Sequence, residues 1–243
     1  MTTETSAAPS PLAGLLEIGG YKPSAEIAAQ RLVMVYTGDG GMGKSDRALT
    51  APDPIAYFDI DHGAEGVIQK AVKAGKDVTV LPIDWPDTGT QAEYKAIWDD
   101  LMTKFRLVKN LLRGTGGTII WDTFTELVEL AEWAFVGKIN EIPPTRHKQY
   151  QAPLRSIVRS MLDDTQLNGI FIHKWGTVFQ KPNEYEIKGY KDMMYQVQVV
   201  AQLYQDGTGN RVQKIIKSRQ NGMLQGQVTP AVPFPVLSAM VWE

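Results

Sequence analysis

The sequence predicts a single α/β domain: a mostly parallel central sheet with helices on both faces and an antiparallel hairpin late in the chain. Three observations lead there. Short apolar runs that read as buried parallel strands recur along the chain. Segments with helical periodicity separate them. A glycine-rich loop joins the first apolar run to the first helix. The domain is expected over residues 26–228, with a flexible tail at 1–25 and an irregular proline-rich tail at 229–243.

The first strand is Arg31-Leu-Val-Met-Val-Tyr-Thr37, which runs into glycines, and Lys44 to Leu49 opens a helix after them. Pro52 and Pro54 close that region, and Ile55 to Ile60 is a second strand ending in acids. Ala64 to Ala74 reads as a helix stopped by Gly75, and Val78 to Ile83 as a short strand. Thr90-Gln-Ala-Glu93 is a capping box. It starts a helix whose apolar positions, from Tyr94 to Leu112, recur at a period near 3.6. Thr118 to Asp122 is the next buried strand, and Thr123-Phe-Thr-Glu126 caps the helix after it. A loop with Pro143 and Pro144 leads to a helix from about Ala152 to Asp164, and Gly169 to His173 is a further strand. Lys174 to Asp192 is polar and too long for an ordinary connection, which points to function. Tyr195 to Tyr204 and Arg211 to Lys217 flank Asp206-Gly-Thr-Gly-Asn210 as a hairpin.

Composition narrows the chemistry. The chain lacks cysteine, which excludes thiol catalysis, thiolate metal sites and disulfides. Its three histidines, His62, His147 and His173, have no ligand spacing for zinc. A net charge of −2 gives no global basic field, so any nucleic-acid contact must come from local clusters. No stretch approaches the ~18 apolar residues of a membrane span. A soluble, cytoplasmic protein without a membrane partner is expected.

Gly38-Asp39-Gly40-Gly41-Met42-Gly43-Lys44-Ser45 is a complete phosphate-cradling loop between strand and helix, with Asp46 following it. Glycines let backbone N–H groups converge on phosphate oxygens without a Cβ in the way. Lys44 is expected to reach the β- and γ-phosphates of ATP, and Ser45 to bind Mg²⁺. Asp122 ends an apolar strand, where a Mg²⁺-positioning carboxylate belongs in such a site. Asp59 and Asp61 both follow the second strand, and either could orient the attacking water, with Asp61 preferred. His173 and Lys174 are placed to face the γ-phosphate from the far side. Lys217-Ser-Arg219 fits two readings, a solvated basic strand end or a pair of cations reaching a neighbouring subunit's γ-phosphate.

The order of these pieces, from about Arg31 to Gln225, resembles the RecA-type recombinase and hexameric-helicase core. Tyr57-Phe-Asp-Ile-Asp61-His is similar to the RecA strand ending Asp-x-Glu-His, with Asp61 standing for a glutamate one methylene longer. Ile170-Phe-Ile-His173-Lys174 resembles the strand whose terminal Asn-Gln senses γ-phosphate, with both residues changed. Lys217-Ser-Arg219-Gln-Asn-Gly is similar to a stretch of DnaB-like helicases that supplies trans-acting cations. Within this superfamily the compact length, Gly169-Ile-Phe-Ile-His173 and Trp121-Asp-Thr-Phe-Thr-Glu126 most resemble phage-encoded annealing proteins of the Sak group.

That resemblance implies a RecA-like P-loop NTPase core and a Mg²⁺-dependent ATPase that binds single-stranded DNA in phage-type recombination or annealing. It also implies a homo-oligomeric ring or filament in the bacterial host cytoplasm, with a phage or host single-strand-binding protein as a further partner. The segments Gly137–Tyr150 and Lys174–Asp192 would then be DNA-binding loops, carrying Arg146, His147, Lys148, Lys174, Lys181 and Lys188 beside aromatics such as Tyr150, Trp175, Phe179, Tyr185 and Tyr190. The alternatives are a helicase or packaging motor, or a structural nucleotide-binding subunit with little turnover.

Overall fold

The computed structural model describes residues 31–139, 142–178 and 181–242, without the side chains of 144 and 177–185. The expected tail at 1–25 lies outside the described residues. From Arg31 onward the chain is one compact unit. Nine strands among the described residues form one sheet in the order β3-β2-β4-β5-β1-β7-β8-β9, with β6 paired to β5. The strands are β1 (Val33–Gly38), β2 (Ile55–Asp59), β3 (Val78–Pro82), β4 (Gly117–Asp122), β5 (Leu167–Val178), β6 (Lys181–Ile187), β7 (Val199–Gln205), β8 (Arg211–Ser218) and β9 (Val228–Pro230). β3, β2, β4, β5, β1 and β7 are parallel; β8, β9 and β6 pair antiparallel. The mostly parallel sheet with antiparallel C-terminal strands is the architecture that the alternating runs predict.

Successive side chains on a strand face opposite ways, and the apolar runs feed two cores accordingly. On one face Val33, Val35, Phe58, Trp121 and Phe171 pack under α3 (Gln91–Leu112), α4 (Phe124–Phe135) and α5 (His147–Leu162). On the other, Met34, Tyr36, Tyr57, Ile120 and Ile172 pack under α1 (Lys44–Ala48), α2 (Glu65–Lys73) and α7 (Phe234–Trp242). Thr90 closes both halves of its capping box at the start of α3. The chain therefore leaves β1 toward one face and β4 toward the other, which opens a crevice at the carboxyl ends of these strands, where α/β sheets bind ligands.

Four expectations are corrected. β5 does not end at His173; it runs on to Val178 and turns back as β6, with Trp175 opposite Ile187. The polar segment from Lys174 to Asp192, expected as a long loop, is thus largely a hairpin that extends beyond Phe171 and Lys174, where the pairing of β5 with β4 and β1 stops. α5 begins at His147, not near Ala152, and carries Pro153 inside it. Proline lacks the N–H of a helical bond, but burial of Tyr150, Leu154, Ile157 and Met161 holds the helix on both sides of it. A short helix, α6 (Met193–Gln196), precedes β7 where strand was expected. The proline-rich segment 229–243 is not irregular: β9 joins β8, and α7 buries Phe234, Leu237 and Val241. No described helix is long and apolar enough to cross a membrane.

Candidate active site

The cleft begins with glycines whose backbone other residues rarely adopt. Gly38 ends β1 at φ 139°, and a Cβ there would lie 2.1 Å from the Leu203 carbonyl oxygen of β7. Gly41 and Gly43 follow at φ 74° and 88°. α1 then starts at Lys44 with no side-chain cap, so the backbone N–H groups at its entrance are left for a ligand. Lys44 folds over this loop, its Nζ donating to the carbonyls of Gly38 at 2.8 Å and Asp39 at 2.7 Å. Burial pulls its pKa down, while Asp122, Asp39 and Asp61 oppose that shift.

Ser45 Oγ donates to Asp122 Oδ2 across 2.5 Å, and the Tyr57 hydroxyl donates to the same oxygen. This works because β2 and β4 are adjacent, with Asp59 in register with Asp122. Burial pushes the Asp122 carboxyl up to about 6, against the pull of these two hydrogen bonds toward the charged form. Thr123 accepts from Glu126 N as the cap of α4, leaving Asp122 free of that duty. Asp61 lines the cleft beside Lys44, Ser45 and Asp122. Asp59 does not; it is buried, its Oδ1 has no hydrogen-bond partner among the described residues, and burial raises its pKa. No cluster of three or more acidic, histidine or cysteine ligands occurs among the described residues. A hydroxyl and a single carboxylate suit Mg²⁺ nonetheless, since that ion keeps waters and takes substrate phosphate oxygens for the rest of its shell.

The far wall comes from the hairpin base. Lys174, Trp175 and Lys188 line the same cleft, whose volume is about 360 Å³. Lys174 pairs with Glu126 of α4, and its backbone N–H donates to Thr125 Oγ1 at 3.0 Å. His173, expected to face the phosphates, is turned away and fully buried. Its Nδ1 lies 3.1 Å from the Lys188 carbonyl and its Nε2 3.2 Å from Met193 Sδ, while its ring packs on Phe124. Burial drives its pKa down to about 4, so the ring is a neutral part of the core.

Other expected residues lie apart. Asp46 is held by Lys70 Nζ at 2.8 Å and is not part of the cleft wall, and Met42 packs against the core on the α1 face. Lys217 and Arg219 lie at and just past the end of β8, beside the amino-terminal end of β7, whereas the phosphate loop follows the carboxyl end of β1. Lys217 Nζ donates to the carbonyls of Met194 at 2.5 Å and Val197 at 2.8 Å, and Arg219 to that of Tyr195. Burial, with Arg219 nearby, lowers the Lys217 pKa to about 8. Arg146 and Lys148 are exposed at the start of α5, and His147 is half-buried there with Nε2 3.1 Å from the Ile142 carbonyl. Lys181 and Tyr185 have side chains outside the description, and Phe179 lies outside the described residues altogether. Tyr150 and Tyr190 are core residues, not exposed platforms. Two features went unread in the sequence: the Tyr57 hydroxyl on Asp122, and Arg211, whose guanidinium lies 3.3 Å from where a Gly43 Cβ would be.

No protein-family model matches the sequence, and no curated protein matches it. Among solved structures the chain is similar to the RadB recombinase in its crystal structure, with 14% sequence identity over 82% of this chain and 85% of that one and a TM-score of 0.46. That similarity is confined to the course of the backbone.

Proposed function

We propose that the chain is a Mg²⁺-dependent ATPase of the RecA-like kind that binds single-stranded DNA and serves phage-type recombination or annealing. The observation that carries the ATPase reading is the 2.5 Å contact of Ser45 with Asp122 beside Lys44, at the mouth of a glycine loop. In this reading Gly38 to Ser45 cradle the phosphates, and Ser45 and Asp122 hold Mg²⁺. The ion, when bound, supplies Lewis-acid stabilisation of the phosphate charge. Lys44 and Lys174 neutralise the phosphates. Asp61, the acid on the cleft wall, orients the water that attacks the γ-phosphorus as the bond to the β–γ bridging oxygen breaks.

A low-turnover nucleotide-binding subunit is the second reading. It is favoured by Lys217 and Arg219, which are bonded to backbone carbonyls of their own chain and must leave them to act as trans fingers in a ring or filament.

The DNA reading rests on the sequence resemblance together with two exposed cations, Arg146 and Lys148, at the start of α5. Binding should favour single strands over duplex and weaken steeply with salt, because counterions are released. Replacing both residues by Ala should lower affinity and flatten the log–log salt slope by about 1.4, at ~0.7 for each phosphate no longer neutralised. Fluorescence anisotropy with labelled oligonucleotides at several salt concentrations measures this. Equal affinity for duplex and single strand, or an unchanged slope, would remove the annealing reading and leave the ATPase one standing.

A further inference from the structure

We infer that Lys188, from the second strand-end of the β5–β6 hairpin, is a γ-phosphate ligand within the same chain and not a DNA contact. This deepens the ATPase reading and rests on it. Lys188 lies just past β6, yet it lines the cleft together with Ser45, Asp61 and Asp122. It gets there by crossing its own hairpin. Its side chain passes over Gly176 so closely that a Cβ on that residue would lie 1.9 Å from Lys188 Cε and 3.0 Å from Nζ. The absence of a side chain at Gly176 is what opens this route. Gly176 has no left-handed φ to require a glycine, so its role is the space it leaves.

Charge gives the second strand of the inference. The acids on the cleft wall are Asp39, Asp61 and Asp122, and its cations are Lys44, Lys174 and Lys188. The acids offset those cations one for one, and Glu126 pairs with Lys174 besides, so a highly anionic triphosphate is balanced only if each of the three lysines meets it. Lys44 belongs to the phosphate loop. Lys174 and Lys188 reach the same cleft from the hairpin base and line it together with Asp61 and Asp122. The two are tied: the Lys188 N–H donates to the Lys174 carbonyl at 3.0 Å, across the base of the hairpin. A terminal phosphate held by both would therefore fix both sides of the β5–β6 hairpin, whereas a diphosphate would not.

The test compares ATP and ADP affinities, each with Mg²⁺, in the full chain by calorimetry. Lys188→Ala should weaken ATP about ten- to hundredfold, the range of one charge-assisted contact, and leave ADP affinity unchanged, which also shows that the fold is kept. Lys188→Arg should recover part of the loss. Gly176→Ala should mimic Lys188→Ala without removing a charge, because the added methyl displaces a flexible side chain and not backbone. If Lys188→Ala weakens ATP and ADP equally, or neither, while Lys44→Ala still loses both, Lys188 is not a γ-phosphate ligand and the ATPase reading survives. If the wild-type chain binds neither nucleotide, both fall together.

Discussion

Asp122→Asn should lower Mg²⁺-dependent ATP hydrolysis by at least ~10²-fold, since it removes the carboxylate that Ser45 contacts and that would hold the ion with it, a role worth several kcal/mol. The change is isosteric and keeps an oxygen for the Ser45 and Tyr57 hydroxyls to donate to. It also removes a buried charge. Burial already raises the Asp122 pKa to about 6, so the ionised form is disfavoured in the folded protein. Loss of hydrolysis should therefore come with a melting temperature equal to or above the wild-type value. Steady-state rates across a Mg²⁺ titration, with thermal melts on the same samples, measure both. A rate within tenfold of wild type would show that Asp122 is a structural acid.

The largest expected effect on stability is at the neighbouring residue. Trp121 is fully buried and stacks on Phe58 at 4.3 Å between ring centroids. Phe105 and Phe124 meet it edge-on at 5.2 and 6.2 Å. This cluster joins β2, β4, α3 and α4, and it fixes the strand that carries Asp122. Trp121→Ala should cost about 3–5 kcal/mol through lost burial and a cavity its rigid aromatic neighbours cannot fill. Trp121→Phe should cost much less: it keeps a stacking ring and removes an indole N–H that has no partner among the described residues. Urea midpoints at constant slope give the comparison. A loss below about 1 kcal/mol for Trp121→Ala would mean that the cluster is not what sets the position of β4.

The parts of the site legible in the sequence are those whose chemistry is local. The glycine loop and Asp122 each follow an apolar run, and strand, turn and functional residue are consecutive, so pattern alone locates them. What was not legible depends on pairing and on direction. Tyr57 meets Asp122 only because β2 lies beside β4 with Tyr57 opposite Ile120. His173 ends a run of apolar residues, and an all-apolar run does not tell which face its last residue takes; it falls on the same face as Phe171, under Phe124. Lys174 to Asp192 read as a loop because Gly176, Lys181, Pro182 and Asn183 break the alternation that marks a strand half-buried in a sheet. The hairpin is held by backbone pairing instead, and that pairing carries Lys188 back to the cleft. The C-terminal helix was hidden by Pro233 and Pro235. Proline is tolerated in the first turn of a helix, and Pro235 is the second residue of α7.

The cleft between β1, β4 and the hairpin base is proposed to bind a triphosphate with magnesium. Calorimetric titration of the wild-type chain and Lys44→Ala with ATP, in Mg²⁺ and in chelator, tests it most directly. The wild type should bind one ATP per chain, more tightly with Mg²⁺. Lys44→Ala should lose about a hundredfold in affinity, because it removes the phosphate loop's own cation. Equal ATP affinity in the two proteins would mean that the glycine loop does not bind the triphosphate.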